Sequence, residues 1–220
     1  EYLERYPNKI DELKYTLTAI APESKDSEFT WVEYQNRVNN ELADVLGNFV
    51  NRALVLTHKY YEGIVPAQGK LAQEDVNALE EMKTFPLKIE RLLYDYKIRE
   101  AQSEVMNLAR LGNKYLADME PWKLQKTDPE RVKTIMNIAL QITGGLSVLL
   151  EPFLPNTANK LRGFLSINAF SWEEAVSGNL VADGSVINDP TILFEKIDDA
   201  FVTREQELLF ATKESTSIVE

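Results

Sequence analysis

The chain has 220 residues, of which 44% are hydrophobic and 27% charged, and its formal net charge at pH 7 is −11. This composition is ordinary for a soluble globular protein, and the length suits one helix bundle with an appended element. The chain has no cysteine, which excludes a disulfide framework and a zinc site built on thiolates. Acidic residues concentrate at the two ends, whereas residues 88–133 in the middle have a slightly positive balance. We therefore expect any contact with a phosphate backbone to be modest and salt-sensitive.

The sequence gives no sign of a membrane or targeting segment. We expect no apolar run that approaches the roughly 18 residues of a membrane span. The first residues, Glu1 to Glu4, lack the basic and then apolar pattern of a signal peptide. We therefore expect no membrane partner and a cytoplasmic location. Because the chain begins abruptly inside an amphipathic pattern, we also expect it to be a piece of a longer protein.

The first predicted elements lead into one long helix. Residues 1–20 predict an amphipathic helix and then a short apolar segment, and the polar residues 21–28 predict a loop. Thr30 and Glu33 have the spacing of a capping box, in which Thr30 bonds the first turn and Glu33 reaches back. The helix that follows ends at Gly63, where a left-handed residue is favoured. Its predicted buried stripe consists of Leu42, Val45, Phe49, Leu56 and Tyr60.

The long helix carries a polar pair, Asn48 and Arg52, spaced four residues apart. Side chains at this spacing project next to each other, one turn apart. An amide beside a guanidinium offers several donors and an acceptor on a rigid element, as recognition of a base edge or a phosphate requires. A solvated polar pair on an amphipathic helix has the same spacing, so spacing alone leaves both interpretations open.

The rest of the chain predicts further helices separated by short connections. They are a short acidic helix from Gln73 to Thr84, a long helix from Pro86 to about Met119, an apolar helix from Pro129 to about Leu150, a helix from Asn156 to Leu165, a short turn of helix after the Ser171 capping box, and a terminal helix from Pro190 to about Phe210. Asp183-Gly184 weakly indicates a hairpin or an extended turn between residues 179 and 188. The polar residues from 212 onward predict a frayed tail or linker. The predicted fold class is therefore all-α, an antiparallel helix bundle with short irregular or extended segments at its ends.

No set of residues predicts an active site. The one histidine, His58, has no acid or nucleophile spaced to serve it, and we expect it on a helix surface. The sequence shows no serine–histidine–aspartate set, no metal-ligand spacing and no phosphate-binding glycine loop. We therefore expect no catalytic residue, metal or cofactor in this chain.

An aromatic side chain in a helix connection is the remaining candidate. Trp122 follows Pro121 in this connection, and Lys114, Lys123 and Lys126 lie nearby in the sequence. An aromatic ring beside lysines is typical of a platform on which an unpaired base stacks. A tryptophan that plugs the end of the bundle gives the same pattern.

Several motifs together resemble the C-terminal, anticodon-binding region of the bacterial methionyl-tRNA synthetases, which are class I enzymes. They are Asp11-Glu12-Leu13-Lys14-Tyr15, similar to the Asp-x-Leu-Arg-Tyr that follows the catalytic signature loop, Gly47-Asn48-Phe49-Val50-Asn51-Arg52, Asn113-Lys114-Tyr115, Pro121-Trp122, and Glu151-Pro152-Phe153-Leu154-Pro155. The resemblance runs from Asp11 to about Asp198. It departs from the family at Lys14, where arginine is usual. The His-Ile-Gly-His-like motif and the Lys-Met-Ser-Lys-Ser loop of the catalytic domain do not occur in this sequence, so we expect that domain outside it.

The resemblance implies a role for each candidate residue. Asn48 and Arg52 would hydrogen-bond the first two bases of a CAU anticodon, and Trp122 would stack on the splayed wobble cytosine. The expected supporting RNA contacts are Pro121, Lys114 and Lys123. The whole protein would be a methionine–tRNA ligase that uses ATP with Mg²⁺. The partners of this chain would then be the anticodon stem-loop of the tRNA and the catalytic domain.

The predicted organisation has three segments. Residues 1–30 would connect to the catalytic domain, residues 31–170 would form the anticodon-binding bundle, and residues 171–220 would form a turn and a helix packing back toward the catalytic domain. Without that domain, the surfaces of the first and last segments would be exposed. Two alternatives are the bundle of another class I synthetase, for isoleucine, valine, leucine or cysteine, and a helical protein-interaction module suited to the acidic ends.

Overall fold

Helices make up almost all of the regular structure. A computed structural model describes residues 2–23, 26–169 and 171–217, with side chains up to residue 210. Its elements are α1 (Tyr2–Arg5), α2 (Ile10–Ala19), α3 (Trp31–Arg37), a π-helical segment (Val38–Gly47), α4 (Asn48–Tyr61), α5 (Gln73–Tyr94), α6 (Ile98–Met119), α7 (Pro121–Leu124), α8 (Pro129–Leu149), α9 (Pro155–Leu165), α10 (Trp172–Ser177) and α11 (Asp199–Ser217). Within these described ranges no strand forms, and one isolated antiparallel bridge joins Ile64 to Val186. The all-α prediction is confirmed.

Helix α8 is the centre of the core, and α4, α5, α6 and α9 pack around it. Contrary to the expectation from the sequence, α8 is long and apolar enough to cross a membrane by length and composition, but 94% of its most apolar window is buried inside the structure. Its buried polar side chains bind the surrounding loops. Asn137 Nδ2 donates to the Pro66 carbonyl, and Gln141 Oε1 accepts from the backbone N–H groups of Leu180 and Val181. These bonds satisfy buried polar groups of the loops, which would otherwise destabilise the fold.

The long N-terminal helix is continuous from Trp31 to Tyr61, but its middle is a π-helix that the periodicity did not predict. Thr30 accepts from the Glu33 N–H as expected, whereas the Glu33 carboxylate pairs with Arg37 at 2.7 Å instead of reaching back. The π turns widen the spacing of the buried residues, because each N–H bonds five residues back. The fully buried line therefore includes residues absent from the predicted stripe: Leu46, Val50, Ala53 and Leu54.

The boundary between the two following helices was predicted wrongly. Pro86 does not start a helix but lies inside α5, where Phe85 and Met82 are buried against the core. This packing outweighs the lost hydrogen bond of an interior proline. The chain breaks instead at Tyr96, which takes a left-handed conformation with φ of 58°. The Lys97 N–H then bonds back to the Leu92 carbonyl and closes the end of α5.

Two predictions near the C-terminus differ from the structure. Residues 179–188 do not form a hairpin on their own but turn at Asp183-Gly184, as the extended-turn alternative predicts, and Ser185 and Ile187 pair with the chain around Val65. The terminal helix does not begin at Pro190, because residues 188–198 are irregular and α11 starts at Asp199. Helix α11 continues to residue 217, through the first part of the predicted frayed tail, and residues 218–220 lie outside the described residues.

The first and last segments pack against each other. Phe201 and Val202 of α11 are buried, and Phe201 stacks on Tyr34 with ring centroids 6.1 Å apart. Glu205, only 1% exposed, pairs with Arg5 at 2.7 Å. The surfaces expected to be exposed without a catalytic domain are thus partly covered within this chain, because aromatic and charged partners from the two ends meet.

Helices α4 and α6 approach closely at a glycine, and this contact positions the candidate site. A Cβ built on Gly112 of α6 would lie 2.4 Å from the ring of Phe49, which is fully buried in α4. Asn113, the next residue, donates from Nδ2 to the Val45 carbonyl in the π segment at 2.8 Å. The ring and the amide together fix the position of α4 relative to α6, and with it the place of Asn48 and Arg52.

We expect Gly112→Ala to destabilise the chain by about 2 kcal/mol, because the new methyl group would displace the Phe49 ring from a close-packed core. Gly145→Ala is the matched control. It also lies in a buried helix, but its Cβ would meet Leu108 at an ordinary 3.5 Å. Chemical denaturation measures both variants, and we expect the control to be neutral or more stable. Equal stabilities for the two variants would contradict the close approach.

Candidate nucleic-acid interface

Arg52 and Trp122, predicted from separate motifs, are in contact. The Arg52 guanidinium carbon lies 4.8 Å from the centroid of the Trp122 ring. This is the geometry of a cation–π interaction, which holds both groups in place. Trp122 is 39% exposed. It therefore does not plug the bundle end and keeps much of its surface open to solvent.

The chain around Trp122 explains how its ring reaches α4. Helix α6 ends at Met119, and Glu120 takes a left-handed conformation with φ of 42°, which turns the chain sharply. Pro121 then begins α7 with the fixed backbone angle of a first helical residue, and its side chain is buried. Asp128 accepts from the Arg131 N–H and starts α8. The connection is thus fixed at both ends, and Trp122 projects from it next to α4.

Asn48 lies one turn before Arg52, at the first position of α4, and is exposed. Within the described part of the chain its amide has no hydrogen-bond partner, and the Arg52 guanidinium has no carboxylate partner. The amide and the guanidinium N–H groups are therefore available to a ligand. A solvated pair would share this availability, but the contact with Trp122 distinguishes the arrangement from isolated surface residues.

The three residues expected to support RNA binding are less available to a ligand than Asn48 and Arg52. Lys114 Nζ pairs with Asp118 at 2.6 Å, which raises the pKa of the lysine, and its side chain lines the groove between α5 and α6. Lys123 pairs with Glu120 at 2.6 Å. Pro121 is buried and begins α7 directly after the turn at Glu120. In the described part of the chain no hydrogen bond or ion pair joins Lys114 to Arg52 or Trp122, and both lysine charges are neutralised locally. The i,i+4 spacing of Lys114 and Asp118 could have indicated this pair.

Lys126 lies in the same connection and is exposed, and in the described chain it forms no ion pair. It is therefore better suited than Lys114 or Lys123 to meet a phosphate, since its charge is not already satisfied.

A buried ionic network holds together the helices on either side of the connection that carries Trp122. The Asp75 carboxylate, fully buried in the first turn of α5, accepts two bonds from Arg131 at 2.6 and 2.7 Å and one from Tyr115 at 2.6 Å. Burial alone would raise the pKa of Asp75, but these bonds and one from the Ala72 N–H outweigh it and lower the pKa. The carboxylate therefore stays ionised at neutral pH. It joins α5 to the end of α6 and the start of α8, which flank Trp122.

Sequence reasoning missed several residues of this arrangement. Asp75, Arg131 and Gly112 carry no recognisable motif, because their roles depend on contacts between distant helices. Asn113 was part of the family resemblance, but its bond to the π segment could not be read from spacing.

His58 meets the surface expectation and its Nε2 lies 3.1 Å from the Asn188 carbonyl. Across the described residues no three acidic or histidine groups come together to hold a metal ion.

Comparison with known protein families shows which family the chain belongs to. A model of the anticodon binding domain of methionyl tRNA ligase matches residues 65–214. The chain belongs to this methionyl-tRNA ligase family. A second model, of class I tRNA synthetases (M), matches residues 1–54. In the family comparison Asn48 and Arg52 therefore fall in the class I match, and Trp122 falls in the anticodon-domain match.

Curated relatives agree with the family assignment. The chain is 52% identical over 215 residues to a methionine–tRNA ligase of Bacteroides fragilis, covering 98% of this chain and 32% of that protein. It is 53% identical over 215 residues to that of Flavobacterium psychrophilum, covering 97% of this chain and 31% of that protein. The chain thus spans about a third of the length of the curated relatives it matches.

Solved structures support the same fold. The free-state methionyl-tRNA synthetase of Mycobacterium tuberculosis superposes with a TM-score of 0.82 at 22% identity, over 90% of this chain and 41% of that one. A second structure of that enzyme, bound by methionyl-adenylate, gives a TM-score of 0.78 at 23% identity over 84% of this chain and 37% of that one. At these identities the likeness establishes the helical architecture.

Proposed function

We propose that this chain recognises the CAU anticodon for a methionine–tRNA ligase. In this proposal Asn48 and Arg52 hydrogen-bond the first two anticodon bases, and Trp122 stacks on the wobble cytosine. The observation that supports it most directly is the contact between Arg52 and Trp122, with the free amide of Asn48 one turn away. Stacking combined with base-edge hydrogen bonds is the usual way in which proteins read single-stranded RNA loops.

The geometry suits a site that is formed before RNA binds. The Arg52 guanidinium carbon lies over the indole ring at 4.8 Å from its centroid, and among the described residues its N–H groups have no carboxylate partner, so they remain free to bond a base. Because the Trp122 ring and the Arg52 guanidinium already hold each other in place, less conformational entropy is lost when RNA binds. The neutralised lysines and the acidic chain ends offer little general attraction for a polyanion. Specific base contacts would therefore contribute most of the affinity.

The whole ligase is proposed to charge tRNA with methionine in the cytoplasm, using ATP with Mg²⁺. Its partners would be the anticodon stem-loop and a catalytic domain whose signature motifs are not in this sequence. The methionyl-adenylate named for the Mycobacterium tuberculosis enzyme is an intermediate of that chemistry. In this chain the segment before Thr30 and helix α11 would rest against the catalytic domain and hold the bundle at the correct distance.

Titration of the chain with anticodon stem-loops at low salt tests the proposal. We expect the CAU loop to bind more tightly than loops in which one anticodon base is exchanged, since each lost base contact costs roughly 1–3 kcal/mol. Equal affinity for all loops would contradict anticodon recognition by this chain.

A further inference from the structure

A small cavity lies beside Asn48, outside the contact between Arg52 and Trp122. Its volume is about 190 Å³. One wall is the start of α4, with Asn48 and Asn51, and the other is the irregular segment before α11, with Thr191 and Ile192. We call residues 190–197 the strap and this space the strap cavity. It is smaller than the pockets of about 300–1,000 Å³ that hold drug-sized ligands, so it suits a ligand with a single ring system.

The strap is held firmly on the π segment. Asn39 bonds both backbone groups of Ile197, donating to its carbonyl at 2.8 Å and accepting from its N–H at 2.8 Å. Lys196 pairs with Asp44 at 2.8 Å. Phe194 is buried, and its ring would lie 3.9 Å from a Cβ at Gly47. The cavity wall is therefore a fixed part of the fold.

The side-chain amides at the strap cavity have no hydrogen-bond partner within the described residues. Asn48 and Asn51 are both exposed, and among the described residues neither amide has a hydrogen-bond partner. Ile192 at the opposite wall is 75% exposed, which is unusual for a large apolar side chain. Two free amides facing an apolar wall match the chemistry of an unpaired nucleobase, which has donors and acceptors at its edge and an apolar face.

The spacing along α4 fits two bases of one loop. Asn48 and Arg52 are four residues apart, which is about 6 Å along a helix. Stacked nucleotides of one strand rise only about 3.4 Å. A base on Trp122 and a base in the strap cavity would therefore have to be splayed apart, as the unpaired bases of an RNA loop are.

We propose that the strap cavity binds a second unpaired base of the RNA loop, next to the base stacked on Trp122. Asn51 bonds the edge of this base together with Asn48, and Ile192 covers its face. The inference rests on the proposed anticodon recognition and adds the strap and Asn51 to it. It makes residues between α10 and α11, far along the chain from α4, part of the recognition surface.

Binding of the CAU stem-loop to the chain and to four single variants tests this. Asn51→Ala and Ile192→Ala should each raise the dissociation constant roughly fivefold, because each removes one exposed contact to the base. The matched controls are Asn36→Ala, an exposed asparagine earlier on the same long helix, and Leu87→Ala, whose side chain is 59% exposed on α5. We expect both controls to bind within twofold of the unaltered chain and all four variants to keep its thermal midpoint.

Base exchange in the loop gives a second measurement. The base in the strap cavity would be the middle base of the anticodon. Asn51→Ala should therefore bind a loop exchanged at the middle base about as well as the CAU loop, while it keeps its preference for cytosine at the first base. If Trp122→Ala abolishes the cytosine preference but Asn51→Ala and Ile192→Ala match the controls, the strap cavity takes no base although anticodon recognition stands. If the unaltered chain binds no loop, or binds all loops equally, both proposals fail.

Discussion

Arg52→Ala should weaken binding of the CAU stem-loop by about 3 kcal/mol, roughly 100-fold in the dissociation constant. The variant loses a charge-assisted hydrogen bond to a base and also the cation that holds the Trp122 ring at 4.8 Å. Arg52→Lys keeps the positive charge but lacks the planar fork, so we expect it to recover only a small part of the affinity. Titration at one fixed salt concentration measures both variants.

Arg91→Ala is the matched control for charge. Arg91 lies near the end of α5 with a side chain 80% exposed, and it pairs with Asp95. This change removes the same positive charge from the chain without touching the candidate site, so we expect less than a twofold effect. A comparable loss in the Arg52 and Arg91 variants would mean that Arg52 acts only through net charge.

Trp122→Ala should weaken binding of the same loop by about 2.5 kcal/mol, within the range of one lost base–aromatic stack. Because Trp122 is 39% exposed, we expect the free energy of unfolding to change much less than that of binding. Fluorescence titration measures binding, and chemical denaturation measures stability. Trp122→Phe should restore part of the affinity, since a smaller aromatic face still stacks.

Tyr94→Ala controls for the loss of an exposed aromatic ring. Tyr94 is 76% exposed at the turn between α5 and α6. That turn is separated from Trp122 by the 22 residues of α6, about 33 Å at 1.5 Å per residue. We expect this variant to bind like the unaltered chain. Unaltered binding by Trp122→Ala would mean that the exposed indole is not a stacking platform.

The helical architecture could be predicted from local signals. The Thr30 and Asp128 caps begin helices where expected, and Ser171 forms the full capping box with Glu174. Local signals failed where distant contacts decide the outcome. Pro86 stays inside α5 because its neighbours are buried, and the Asp95–Lys97 turn breaks the chain instead.

The sequence predicts the residues of the candidate site but not their arrangement. Spacing and family resemblance predict roles for Asn48, Arg52 and Trp122, whereas the contact between Arg52 and Trp122 depends on Phe49 of α4 packing against Gly112 of α6. The π segment ends directly before Asn48 and rotates the side chains that follow it relative to those before it. A prediction that assumes 3.6 residues per turn throughout misses this rotation. The strap was predicted as helix, so its contact with α4 could not be foreseen.

The central claim is that the Trp122 ring positions the wobble cytosine for the hydrogen bonds of Asn48 and Arg52, so that the preference for cytosine depends on the ring. A double-mutant cycle tests this claim most directly. Dissociation constants are measured for the unaltered chain and for Trp122→Ala, each with the CAU loop and with a loop in which only the first base is exchanged. We expect the exchange to cost the unaltered chain at least tenfold in affinity and Trp122→Ala less than twofold. An equal loss for both proteins would show that the cytosine is recognised elsewhere and would contradict the account.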